Sequence, residues 1–122
     1  MGKKTVFITG TTGSMGHAGF RELLGRRDRF NIVTLVRPSQ KNKKMMAPFI
    51  NEPGIKIVWG DLTNFEDVFE CVTGADYVLH PAAFIAPAAD HDPDMAWKIN
   101  AGSAENIVNA IKAQPDPDSI KL

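Results

Sequence analysis

The stretch Thr5-Val6-Phe7-Ile8-Thr9-Gly10-Thr11-Thr12-Gly13-Ser14-Met15-Gly16 limits the folds open to this chain more than any other. Thr5–Thr9 is a continuous β-branched and aromatic run, which suits a strand covered on both faces and therefore a parallel sheet. Gly10 ends the run. From Met15 to Gly25 the pattern is helical, with Phe20, Leu23 and Leu24 on the inner side. A strand that passes through G-x-x-G-x-x-G into a helix has a chemical speciality. Gly10 lets the chain leave the strand in a tight turn. Gly13 lets a diphosphate approach the backbone, and Gly16 lets the helix pack closely on the sheet. The amides of Gly13, Ser14 and Met15 then point at the anion from a positive helix end. The competing reading is a plain turn with incidental glycines; the segments that follow favour dinucleotide binding.

Those segments repeat the alternation. Asn31–Val36 reads as a second strand, and Pro38 prevents its extension. Gln40–Ile50 reads as a short helix with Met45, Met46 and Phe49 facing in, and Ile55–Trp59 as a third strand. Asn64 is placed to cap a helix over Phe65–Val72, whose first turn carries Glu66 and Asp67, and Gly74 closes it. Tyr77–His80 is a fourth strand, stopped by Pro81. A loop of small residues leads to the longest helix, which opens at Asp92 or Asp94 and runs to about Ala113. Pro115 and Pro117 end it, and Ser119–Leu122 starts a fifth extended segment. No internal repeat is visible. The expectation is one α/β domain over residues 1–122, a Rossmann-type doubly wound parallel sheet. Right-handed crossovers give the strand order 3-2-1-4, with a stub of a fifth strand beside the fourth.

Composition narrows the function. Lys+Arg and Asp+Glu number 14 each, so the formal net charge is zero, which argues against general binding to nucleic acid or to an acidic membrane. No apolar run reaches the roughly 18 residues of a membrane span. Cys71 is the one cysteine, which excludes an internal disulfide and any multi-cysteine metal site and fits a reducing compartment. The apolar run after Met1 is too short for a secretory signal, so a cytoplasmic protein is expected. Asp90-His91-Asp92 looks like a ligand cluster, but consecutive residues point in different directions, and an exposed loop is the expected reading.

In the dinucleotide fold an acidic residue at the end of the second strand holds the ribose 2′-hydroxyl of NAD. Here Arg37 follows Val36, and no Asp or Glu occurs between Asp28 and Glu52. Lys41, Lys43 and Lys44 follow instead. A guanidinium at that position pairs with a 2′-phosphate, which a carboxylate would repel, so NADP is favoured over NAD. Asp61 in Trp59-Gly60-Asp61-Leu62-Thr63 can accept a hydrogen bond from an adenine amino group; taken alone, a turn aspartate is the simpler reading. After the fourth strand, Ala82 and Ala83 allow backbone to lie against a ribose or nicotinamide ring. His80 adjoins the cleft, and a hydrogen-bonded structural role is favoured over a catalytic one. Phe84-Ile85-Ala86 forms an apolar lip.

Together these features resemble the extended short-chain dehydrogenase/reductase family, also described as NAD-dependent epimerase/dehydratases. The resemblance lies in Thr9-Gly10-x-x-Gly13-x-x-Gly16, in Gly60-Asp61-Leu62, in His80-x-Ala82-Ala83, and in Asn100 followed by Gly102 and Asn106. Leu35-Val36-Arg37-Pro38 with Lys43-Lys44 is similar to the NADP-using, dihydroflavonol-reductase-like branch. The implied cofactor site comprises Gly10, Thr12, Gly13, Ser14, Met15, Gly16, Arg37, Lys44, Asp61, Leu62, His80, Ala82, Ala83 and Asn100. The family's proton donor is the tyrosine of a Tyr-x-x-x-Lys motif. Here Tyr77 is the one tyrosine, and Pro81 stands where the lysine would be. The resemblance therefore implies the amino-terminal part of a reductase or epimerase, ending before the catalytic region and unable to catalyse alone. The alternative is a non-enzymatic dinucleotide-binding or protein-interaction module. Self-association is expected through an exposed sheet edge or through the helix over 94–113.

Overall fold

The computed structural model describes residues 3–11, 14–80 and 93–122; within these, the side chains of residues 14, 15, 93 and 95–100 are not described. Four strands form one parallel sheet: β1 (Lys4–Ile8), β2 (Phe30–Val36), β3 (Ile55–Trp59) and β4 (Tyr77–Leu79). Their spatial order is β3-β2-β1-β4, as the alternating pattern predicts. Val6 stands opposite Ile32 on one side and Tyr77 on the other, and Leu35 stands opposite Val58. Lys121 adds the stub: its amide donates to the Asp76 carbonyl at 2.9 Å and its carbonyl accepts from the Val78 amide at 2.7 Å.

Helices cover both faces. On one side α1 (Ser14–Leu24) and α2 (Gln40–Met46) enclose Ile8, Phe20, Ile32, Val36 and Met46, with Phe20 set edge-on against Phe49. On the other, α3 (Phe65–Val72) and α4 (Pro93–Lys112) enclose Phe7, Leu35, Val58, Val68, Cys71, Val78 and Ile107. Val6, Phe7 and Ile8 are all buried, which is why β1 reads as an unbroken apolar run. Coverage stops short at β4: on the α1 side Tyr77 and Leu79 remain 37% and 44% exposed.

Several boundaries move. β1 begins one residue earlier than its apolar run and ends at Ile8. The helix expected over Gln40–Ile50 is α-helical only to Met46. Pro48, which lacks an amide hydrogen, lies in a tighter 3-10 turn over Ala47–Phe49. A second 3-10 turn over Pro117–Ser119 occupies the start of the expected fifth segment, so the stub reduces to the Lys121 bridge. Among the described residues no helix is long and apolar enough to cross a membrane, and no cluster of metal-ligating side chains occurs.

Candidate dinucleotide site

The strand order reverses at β1: the chain runs outward through β2 to β3, then crosses back to place β4 on the other side of β1. Open α/β sheets bind ligands at such a reversal, outside the carboxyl ends of the strands. The carboxyl ends of β1 and β4 are joined there. Ile8 stands opposite Leu79, the Thr9 amide donates to the Leu79 carbonyl at 3.0 Å, and Thr9 Oγ1 lies 2.8 Å from His80 Nδ1. Burial holds the His80 imidazole below its ordinary pKa of 6.5, favouring the neutral ring.

Gly10 leaves β1 with φ of 67°, the left-handed region in which a side chain is strained. Six residues on, a Cβ at Gly16 would overlap the Gly10 carbonyl oxygen. Only hydrogen fits between the first turn of α1 and the end of β1, so helix and strand meet backbone to backbone. Ser14 and Met15 lie in that first turn, which contains no acidic residue. Two further bonds secure the turn. His17 Nδ1 lies 3.0 Å from the Thr11 carbonyl oxygen, and because a carbonyl only accepts, the ring nitrogen donates. Thr11 Oγ1 lies 2.9 Å from Thr34 Oγ1 of β2, both side chains being buried.

The end of β2 and the turn after β3 lie side by side: the Gly60 amide donates to the Val36 carbonyl at 2.9 Å. Arg37 is exposed just beyond Val36, and Lys41, Lys43 and Lys44 are exposed on α2. Among the described residues no carboxylate forms an ion pair with any of these four cations. The Arg37 carbonyl accepts from the Ser39 amide at 2.8 Å and from Asn42 Nδ2 at 3.0 Å, which fixes the backbone at the base of that cluster.

Asp61 turns one oxygen inward on its own loop. Its Oδ1 accepts from the Thr63 amide at 2.9 Å and from Thr63 Oγ1 at 2.8 Å. The amide bond, with the Thr63 hydroxyl and the Arg37 charge as smaller contributors, holds the carboxyl below its ordinary value against the opposing effect of burial. The Asp61 amide donates to Asp67 Oδ2 at 3.0 Å, and Asn106 of α4 donates to the Leu62 carbonyl at 2.9 Å.

Gly10, Gly16, Arg37, Asp61, Leu62 and His80 thus all lie at the carboxyl end of the sheet, and Lys44 lies on the helix after β2. Thr12, Gly13, Ala82 and Ala83 lie outside the described residues, as do the lip at Phe84–Ala86 and the Asp90–Asp92 cluster. Asn100 is placed on α4, without its side chain. Sequence reasoning missed His17 and Thr34, read Asp67 only as a charge at the start of a helix, and used Asn106 only as a mark of resemblance. His17 directly follows the third glycine, which is the one local signal; the others act across strands and helices.

Residues 6–120 match the NAD dependent epimerase/dehydratase family. The UDP-glucose 4-epimerase of Rickettsia felis is 34% identical over 111 residues, covering 88% of this chain and 32% of that protein. The enzyme of the same name from Rickettsia bellii is 33% identical over 111 residues with the same coverage. The chain thus spans about a third of the length of the curated relatives it matches. The Bordetella bronchiseptica enzyme WbmH, solved in complex with NAD+, superposes with a TM-score of 0.68 at 25% identity, over 91% of this chain and 36% of that one. The dTDP-glucose 4,6-dehydratase DesIV of Streptomyces venezuelae, solved with NAD and TYD, gives 0.74 at 18% identity over 89% and 36%, a likeness of fold alone. With the match running through every strand and helix among the described residues, the chain belongs to the NAD dependent epimerase/dehydratase family.

Proposed function

We propose that this chain is the dinucleotide-binding domain of an NADP-preferring reductase or epimerase of the extended short-chain dehydrogenase type, and that it binds coenzyme without turning over substrate by itself. The observation that carries this reading is the meeting of Gly16 with the Gly10 carbonyl. It presses the start of a helix free of acidic residues against the end of the central strand, where a diphosphate is drawn by amides and helix dipole. The residues present fit the coenzyme: Gly10, Thr12, Gly13, Ser14, Met15 and Gly16 would hold the diphosphate, Asp61 and Leu62 the adenine, and His80, Ala82, Ala83 and Asn100 the nicotinamide half. When bound, the nicotinamide supplies a hydride donor or acceptor. Arg37, with Lys44 behind it, would hold the 2′-phosphate; among the described residues no carboxylate is ion-paired to the guanidinium, which supports that pairing.

Titration of the folded protein with NADPH and NADH side by side tests the reading. Tighter binding of NADPH is expected. Equal affinities would remove the role given to Arg37, and binding of neither would remove the dinucleotide reading itself. The catalytic tyrosine and lysine are assigned to sequence outside residues 1–122, so activity is expected only in a longer protein. The single cysteine, unpaired and buried, supports a cytoplasmic setting. Exposed Tyr77 and Leu79 beside the β4 edge, and Val108 on α4, support self-association, which sedimentation over a range of concentrations would reveal. The same exposed residues favour the second reading, an interaction module, if the folded chain self-associates yet binds no coenzyme.

A further inference from the structure

We propose that His17 and Thr34 are positioning residues for the diphosphate-binding turn, acting together on Thr11; this rests on the dinucleotide reading above. Thr11 directly follows Gly10 in the glycine-rich turn, and two different elements hold it. His17, on α1, donates from Nδ1 to its carbonyl oxygen at 3.0 Å. Thr34, on β2, shares a hydrogen bond with its hydroxyl at 2.9 Å, 23 residues away in sequence and buried from solvent. The backbone bond fixes the orientation of the Thr11 carbonyl. The hydroxyl bond fixes the distance of Thr11 from β2. Three residues beyond Thr34 that strand delivers Arg37, the proposed 2′-phosphate contact. Thr34 therefore ties the two anion-binding ends of the site to one rigid strand.

Neither residue touches the coenzyme in this account. Their contribution is preorganisation: a turn held before the ligand arrives need not be ordered when it binds. Both coenzymes share the diphosphate, so loosening the turn penalises both alike. Arg37, by contrast, acts on one coenzyme only.

The experiment compares NADPH and NADH affinities for His17→Leu and Thr34→Val, each close in size to the native side chain but without its polar partner, and for His17→Asn and Thr34→Ser, which retain one. His17→Leu and Thr34→Val are expected to weaken both coenzymes by about tenfold, the effect of one net hydrogen bond, leaving the ratio of the two affinities unchanged. His17→Asn and Thr34→Ser are expected to recover most of the loss. A role in stability alone would lower the melting temperature and leave the affinity of the folded protein as it was, which overturns the proposal. So does a loss confined to one coenzyme. If Thr34→Val does not fold, His17→Leu decides the matter, because His17 is half-buried and an apolar replacement keeps its contact with Phe20 at the edge of the core. Wild-type protein that is folded and binds neither coenzyme defeats the underlying reading; wild-type binding with unaffected variants defeats only the positioning role.

Discussion

Of the helices that begin past the carboxyl ends of strands in this sheet, α1 after β1 and α3 after β3 carry opposite charge patterns in their first turns. α3 satisfies itself. Asn64 Oδ1 accepts from the Glu66 and Asp67 amides at 3.0 and 3.2 Å, and Glu66 and Asp67 place two carboxylates on the positive end of the helix. Asp67 also reaches back to the Asp61 amide. Nothing anionic has reason to enter. α1 has no acidic residue in its first turn, and it approaches β1 so closely that Gly16 admits no side chain. The same fold thus contains a helix start that supplies its own negative charge and one whose first turn supplies none. An anion site, on this comparison, is distinguished less by the presence of a helix N-terminus than by the lack of carboxylates in its first turn.

The largest effect expected from breaking this contrast belongs to Gly16→Ala. The obstruction is a backbone carbonyl that cannot swing aside, so destabilisation of about 3 kcal/mol is expected, the upper end for overpacking, with coenzyme binding lost. Calorimetric melting and titration read both, and a variant that melts and binds like wild type would show that the close approach is dispensable. Next is Arg37→Gln. Loss of a charged hydrogen bond to phosphate is worth about 1.5–3 kcal/mol, so NADPH should weaken by about ten- to a hundredfold while NADH is unchanged. A parallel fall for both coenzymes would move Arg37 from 2′-phosphate reader to general support.

Asn64→Ala sharpens the other side. Removal of a helix cap is expected to cost about 1 kcal/mol of stability with no change in coenzyme affinity. If affinity fell as well, the two helix starts would be coupled, contrary to the comparison. The smallest effect concerns Asp61. Its folded-state pKa lies below the ordinary 3.8, so its contribution to stability is present above that pH and is lost as the pH falls through the lowered value. Wild type and Asp61→Asn should therefore converge in stability only in strongly acidic solution. Divergence that vanished already near neutrality would contradict that assignment.

Much of this architecture is legible in the sequence because it rests on local rules. A strand buried on both faces, as β1 is, shows as an unbroken apolar run, and the right-handed crossover then orders the four strands. Asn64, Glu66 and Asp67 announce α3 within four residues. The helix after β2 is misjudged because Met45, Met46 and Phe49 keep helical spacing through Pro48, where the missing amide tightens the turn. The bonds that steady the site are hidden for a different reason. Thr11 meets Thr34 across 23 residues and Asn106 meets Leu62 across 44, and a threonine or asparagine in a strand or helix gives no sign of which distant backbone it will find. Asp61 likewise shows how one carboxylate position allows two readings: its bonds to Thr63 serve the turn, while its location beside Arg37 keeps it at the cleft.

Cys71, on the buried face of α3, has a practical consequence. Burial, reinforced by the Glu70 charge, pushes its thiol up to about 12, so near neutral pH almost none of it exists as the thiolate that alkylating reagents require. Iodoacetamide should therefore modify the native chain only when α3 lifts from the sheet, and the rate of labelling becomes a clock for that opening. A nucleotide gripped on the far side of β1 would slow the clock by mass action without coming near the sulfur, so one native atom can report occupancy of a site it never touches.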